Sequence, residues 1–295
     1  YHGGVITSFY HGLYRAMFGY RVYDVDLSGA DAGAMGLIDC IDFIKPPETT
    51  TKLSHILKVV EDTRRPVVAW VNFSFPETEL YPCLPVNSTR GLQYVLEGES
   101  YCTGPELLLA ARAGAQLEVL SCNIWYTLDK PLYADYIGAM MAERHKYDKK
   151  TLFNLLFKDM SNTLYGKVAQ GIKTRRITNF SRFEGPSREL EGSLVTLPIA
   201  AAMITGYIRA ALFDINSLLR AAGWQVLTTT TGGSLIGAPR GMDFNTVVRG
   251  GYAHHLLSEG RLRLGMEANE ADKILEVKCE GASAGVWRTR ANSVF

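Results

Sequence analysis

The stretch VLTTTTGGSLIG, residues 226–237, places four threonines and two glycines between two apolar runs. β-Branched residues on either side of a glycine-containing turn read as two short strands folded back on each other. Nothing in the turn ionises. Gly232 and Gly233 stand where such a hairpin can carry a metal-binding carboxylate.

Outward from the hairpin, SLVTLPIAAAMITGYIRAALFDINSLLRAAG (193–223) reads as a long helix beginning near Pro198 and stopping at Gly223. Its apolar part, 198–213, is too short to cross a bilayer and contains Arg209, so a buried helix is expected. GYRVYDVDL (19–27) alternates and is rich in β-formers, and the small residues of SGADAGAMGLIDCI after it favour a helix. PPETTTKLSHILKVVEDTRRP (46–66) is a proline-bounded helix with Thr50 or Thr51 near its start. VVAWVNFSF (67–75), GLQYVLEGES (91–100) and QLEVLSCNIWYTL (116–128) read as strands, and ETELYPCLPV (77–86) as extended chain.

TGPELLLAARAGA (103–115) marks both its ends: Thr103 as N-cap, Pro105 in the first turn, Glu106 closing a capping box, and Gly114 at the left-handed C-terminal position. Residues 133–170 read as helical almost throughout, as one helix or two. Strands are expected again near 244–256 and 273–279, which would turn His254 and His255 to opposite faces in structural roles. Strands and helices mix without strict β–α alternation. The expectation is an α+β fold, an antiparallel or mixed sheet with helices on one face, rather than a doubly wound parallel sheet.

A chain of 295 residues is long enough for one large or two medium domains, and 47% hydrophobic with 21% charged residues is ordinary globular composition. The net charge of +1 names no partner, but residues 141–190 hold 11 basic and 5 acidic residues. That local excess fits either a polyphosphate or nucleic-acid footprint or a solvated, charge-rich face. Cys40, Cys83, Cys102, Cys122 and Cys279 have no CxxC spacing and no histidine pair at metal spacing beside them. Thiols serving as small core residues in a reducing, cytoplasmic compartment are expected. No signal-peptide pattern opens the chain; with no methionine at Tyr1, it reads as part of a longer protein.

Two segments carry chemistry. In KDMSNTLYGK (158–167), Lys158, Asn162, Tyr165 and Gly166 fall at i, i+4, i+7 and i+8, on one helix face. A cation, an amide, a ring and a residue without a side chain suit phosphate, sugar and base of a nucleotide. The plainer alternative is an amphipathic helix with exposed Lys and Asn and a buried Tyr. In YDVDLSGADAGAM (23–35), Asp24 and Asp26 share one strand face, where paired carboxylates can hold Mg²⁺. The small residues after Asp26 leave a helix start open to phosphate. Here the alternative is that Asp26 and Ser28 cap the next helix.

Together these segments resemble the family B DNA polymerases. KDMSNTLYG matches the finger-helix motif, and YDVDLSGAD matches the palm strand bearing the first metal aspartate, here Asp26. YHGG (1–4) is similar to the Y-x-G-G segment that joins exonuclease and polymerase domains and touches template. LEGESYCTGPELLLA (96–110) looks like a palm segment, and WRTRANSVF (287–295) like the start of the basic segment leading to the thumb. The wide spacing between palm and finger motifs, with Lys146 twelve residues ahead of Lys158, looks most like the protein-primed or primer-independent branch.

The resemblance implies a right-hand polymerase: palm over 1–132 with an insertion near 45–130, fingers over 133–172, palm again over 173–280, and the start of a thumb from 281. It implies two Mg²⁺ (or Mn²⁺) ions, a DNA primer–template and dNTP as partners, with a terminal protein as an alternative primer, and no membrane. Lys158, with Lys146 or Arg144, would neutralise the triphosphate; Asn162, Tyr165, Gly166, Ser28, Gly29 and Ala30 would line the nucleotide site. Tyr1, Gly3, Gly4, Lys167, Lys173, Arg175, Arg176, Arg288 and Arg290 would follow DNA. Two positions depart from the pattern. Gly232 stands where the second metal aspartate belongs, which implies impaired nucleotidyl transfer or an inactive nucleic-acid-binding module on a polymerase scaffold. Asp31 stands at the sugar-sensing position, which leaves a different palm-type nucleotidyltransferase, an RNA polymerase or primase, as a weaker alternative.

Overall fold

The structure is a computed structural model that describes residues 1–89, 91–172, 176–177 and 188–286. In chain order its main elements are β1 (Ile6–Ser8), β2 (Tyr20–Leu27), α1 (Ala30–Gly36), α2 (Leu53–Asp62), β3 (Val67–Ser74), β4 (Glu97–Thr103), α3 (Gly104–Arg112), β5 (Gln116–Ile124), α4 (Ala134–His145), α5 (Leu152–Val168), α6 (Pro198–Ala221), β6 (Gln225–Thr230), β7 (Gly233–Pro239), α7 (Phe244–Val248), α8 (Tyr252–Arg263) and β8 (Leu275–Gly281).

The hairpin forms as its sequence dictates, and its sheet is antiparallel, in the order β1-β6-β7-β2-β8. Alternation along β2 divides its side chains. Tyr23, Val25 and Leu27 enter the main core with the helices, whereas Val22 joins a smaller cluster with Leu227 and Leu235 on the other face. Asp24 and Asp26 share the parity of Val22, so they point away from the helical layer. This is an α+β sheet with its helices on one face.

The threonines of the hairpin have a packing role. Buried Asn216 of α6 donates to Thr229 Oγ1 at 3.0 Å, Ser234 Oγ donates back to Asn216 Oδ1 at 3.1 Å, and Thr229 and Ser234 hydroxyls lie 2.8 Å apart. The triangle satisfies three buried polar side chains and fixes the hairpin on the helix below it. Thr228 turns the other way and donates to Thr7 of β1 at 2.9 Å.

Helix α6 is 24 residues long, and by length and composition could cross a membrane, but 78% of its apolar window is buried in the protein. It is the core helix expected from its sequence. Arg209 within it is buried because Glu106 of α3 meets it at 2.7 Å. Glu106 also accepts from the backbone N–H and hydroxyl of Thr103, both at 2.8 Å, so the capping residue is at once the partner of a buried cation. Arg209 Nη1 donates to the carbonyls of His2 (2.9 Å) and Gly3 (2.7 Å), anchoring the first residues of the chain.

A second sheet runs through residues 48–124, ordered Glu48–Thr49, β5, β3, β4, all antiparallel. Helices α4 and α5 pack on each other and against α1.

Three local expectations are corrected. Residues 244–256 are helical, in α7 and α8, not a strand. Ala253, Leu257, Gly260 and Leu264 are buried at helical spacing, a period that the glycines around them obscure. His254 is accordingly buried and His255 exposed on one helix. Helix α2 spans only Leu53–Asp62 of 46–66, with Glu48–Thr49 paired as a strand before it, Lys52 at the N-cap position, and Thr50 accepting from the Lys52 N–H. Residues 91–100 divide at Val95–Leu96, because Gly91–Tyr94 pairs with Pro85–Ser88 while β4 pairs with β3.

Candidate active site

Asp26 sits on β2, an interior strand between β7 and β8, opposite Gly233 on one side and Glu276 on the other. The turn between β6 and β7 is Thr231–Gly232, with Thr231 in the left-handed region at φ 45°. The first segment of the chain braces it: Thr231 N–H donates to Val5 at 2.7 Å, and a Cβ on Gly4 would lie 3.2 Å from the Thr231 backbone. On the inner side Leu27 N–H donates to Gly232 at 2.6 Å. A Cβ built on Gly232 has one neighbour, Asp26 Oδ1 at 3.6 Å, so a carboxylate grafted there would stand beside that of Asp26.

Above this pair opens a cleft of about 520 Å³. Its floor is the turn from Asp26 through Ser28, Gly29, Ala30 and Asp31. One wall is helical, with Arg144 from α4 and Lys158 and Asn162 from α5; the other is Gly232 with Glu276 and Lys278 of β8. Capping of α1 by Asp26 or Ser28 does not occur: the N-cap residue is Gly29 at φ 61°, and no side chain bonds there.

The charge in the cleft is mixed, with carboxylates Asp26, Asp31 and Glu276 against Arg144, Lys158 and Lys278. Burial pushes the Asp31 carboxyl above its ordinary range. Glu276 is held below its range, first by Lys278 Nζ at 2.6 Å, with Lys149 and Lys158 adding attraction.

Other expected residues lie outside the cleft. Lys146 is an exposed partner of Glu143 at 2.5 Å, so Arg144 is the cation that the helical connection delivers. Tyr165 is half-buried, its hydroxyl 2.7 Å from that of Tyr1, and burial followed by this bond raises its pKa. Gly166 is exposed, with open space where a Cβ would be. Gly3 lends its carbonyl to Arg209 and Gly4 packs on Thr231. Lys167 donates to Gln170 at 2.9 Å. Lys173, Arg175, Arg288 and Arg290 fall outside the described residues, as does the side chain of Arg176. Glu276 and Lys278 were missed in the sequence; E-x-K in a strand of alternating parity was the available signal.

A two-ion site needs paired hard oxygen donors. Asp26 is one. Position 232 has none, and Glu276 is engaged by Lys278. No group of three or more His, Cys, Asp or Glu suited to a metal occurs among the described residues. The residues present do not fit the paired-ion set.

The fold is that of a right-hand polymerase. Residues 74–196 match the family described as DNA polymerase type B, organellar and viral. Over 251 residues, 81% of the chain, it is 32% identical to the primer-independent DNA polymerase PolB of Escherichia coli, of which it spans 27%. Phi29 DNA polymerase in complex with primer-template DNA and incoming nucleotide substrates superposes with a TM-score of 0.65 at 14% identity, covering 98% of this chain and 48% of that one. Its orthorhombic crystal form gives 0.61 at 15% identity over the same shares. The chain belongs to the family B DNA polymerases, with its likeness on the protein-primed and primer-independent side.

Proposed function

We propose that this chain forms the palm and fingers of a template-directed DNA polymerase, and that with Gly232 its cleft binds primer–template and dNTP far better than it joins them. The observation that carries the reading is the cleft itself: Asp26, Lys158, Asn162 and Arg144 converge from three elements, with Gly232 beside Asp26. Relatives named as DNA polymerases, one of them captured with DNA and nucleotides, support it. The helical pair over 134–168 supports fingers within 133–172, and the separate sheet over 48–124 supports an insertion near 45–130 in the first palm part. The second palm part would run over 173–280 and the thumb would start at 281.

In this reading Lys158 and Arg144 neutralise the triphosphate, Asn162 and the Ser28–Ala30 backbone orient it, and Asp31 faces the sugar. Tyr165, fixed by Tyr1, holds the wall against which the nascent pair rests. An active form would hold two Mg²⁺ or Mn²⁺ ions on Asp26 and an aspartate at 232; the present residues lack that pair. A terminal protein is proposed as an alternative source of the priming hydroxyl, on likeness of branch.

A second reading, a non-catalytic binding module on this scaffold, is favoured by the same missing carboxylate. Equilibrium binding of labelled primer–template separates the two. The polymerase reading expects the next correct dNTP to tighten the complex, and expects affinity to fall steeply with salt. Binding indifferent to dNTP would overturn it in favour of the module, and tightening by rNTP alone would favour an RNA-synthesising relative.

A further inference from the structure

The tip of the α4–α5 pair has features that the cleft chemistry does not use. Tyr147 stacks on Phe153, with ring centroids 5.1 Å apart at 29°, and on Phe157 at 6.0 Å and 20°. The stack is open to solvent: Phe153 is 52% exposed and Tyr147 36%. Leu152, Leu156 and Met160 extend the exposed apolar surface along α5. Such a surface on one helix marks a binding face.

Two observations choose its occupant. The five residues 146–150 include three lysines and one aspartate, so the ring faces lie within a cationic loop. Lys149 also reaches the cleft electrostatically, adding to the attraction that lowers the Glu276 pKa. The rings are held in place beforehand. Asn154, itself buried, donates to the carbonyls of Arg144 (3.2 Å) and Tyr147 (3.0 Å), and Thr151 Oγ1 donates to Asp148 at 2.8 Å. Rigid exposed rings among ammonium groups, on the same helix pair that sends Arg144 and Lys158 into the cleft, suit unpaired bases, which stack without regard to sequence, and their phosphates.

We propose that this tip is a stacking platform for single-stranded nucleic acid. A base extends the ring stack at its more exposed member, Phe153, which Tyr147 backs, and its flanking phosphates meet Lys149 and Lys150. The platform deepens the polymerase reading by giving unpaired template a place to bind, but its chemistry needs only a single strand.

Fluorescence anisotropy on the full chain tests it, with a blunt DNA duplex, the same duplex bearing a 5′ overhang of about ten nucleotides, and free oligo-dT. The overhang is expected to tighten binding about tenfold. Phe153→Ala with Tyr147→Ala should abolish that increment and leave blunt-duplex binding unchanged. Phe153→Leu, which keeps apolar bulk and loses the ring face, should lower it should the double variant fail to fold. Lys149→Ala with Lys150→Gly should reduce the salt slope for oligo-dT by about 1.4. An increment that survives loss of both rings overturns the platform. So does concentration-dependent self-association of the parent that Phe153→Ala abolishes while the increment stays. Oligo-dT binding that requires the rings, in a chain indifferent to duplex and dNTP, would sustain the platform and sink the polymerase reading.

Discussion

Glu106→Gln is expected to be among the most damaging conservative changes in the protein. Glu106 and Arg209 have side chains 0% and 1% exposed and meet at 2.7 Å. The second carboxylate oxygen accepts two bonds from Thr103, and the guanidinium makes two more to the carbonyls of His2 and Gly3. The substitution keeps the shape and removes the charge, stranding a buried guanidinium. Breaking a buried pair on one side costs about 3–5 kcal/mol, against a total stability on the order of 5–15 kcal/mol. The melting temperature should fall by roughly 6–15 °C. Urea denaturation checks it: the midpoint should drop with the slope unchanged. Adding Arg209→Met should recover much of the loss, because the pair then leaves together. A loss below about 1 kcal/mol would refute the reasoning, since no buried, singly compensated guanidinium would then exist. The function should weaken too, because the anchored carbonyls precede Gly4 and Val5, which brace the Thr231–Gly232 turn.

Further outcomes are expected elsewhere. Arg144→Ala should weaken dNTP binding to the primer–template complex about tenfold, while Lys146→Ala, which does not line the cleft and pairs with Glu143, should leave it unchanged; the reverse order would invert the assignment. Asp31→Asn should raise the melting temperature at neutral pH. A carboxyl whose native pKa is raised stabilises the fold fully below its unfolded pKa, and that contribution is lost as pH rises through the native value. The gain should therefore vanish near pH 3, below the unfolded value of about 3.9; a gain constant with pH would show that Asp31 is not desolvated. Gly260→Ala should cost about 1–3 kcal/mol or more in denaturant titration, because its Cβ would overlap the Gly33 carbonyl where α1 crosses α8.

Much of this fold was legible in the sequence because local signals agreed with tertiary ones. The capping box of α3, Gly114 and Gly223 at φ 80°, and the Thr-Gly turn each state a boundary that the structure keeps. Helices α7 and α8 were not legible. Glycines supply close contacts there, so the apolar stripe is sparse and the period faint. In the cleft, Asp26, Lys158 and Asn162 could be named because each lies in a compact motif. Glu276 and Lys278 could not, because E-x-K marks only a shared strand face, and it is the register of β8 against β2 that sets Glu276 opposite Asp26. Choosing Arg144 over Lys146 likewise needed the turn that Asn154 ties down.

The most direct test of the account is primer extension by the parent and Gly232→Asp chains under single-turnover conditions, read beside their melting temperatures with and without Mg²⁺. The position has room for the side chain and lies outside the left-handed region, so the variant should fold. The account predicts extension faster by several orders of magnitude, with Mg²⁺ stabilising the aspartate form more than the glycine form. Equal extension rates and equal responses to Mg²⁺ would contradict it.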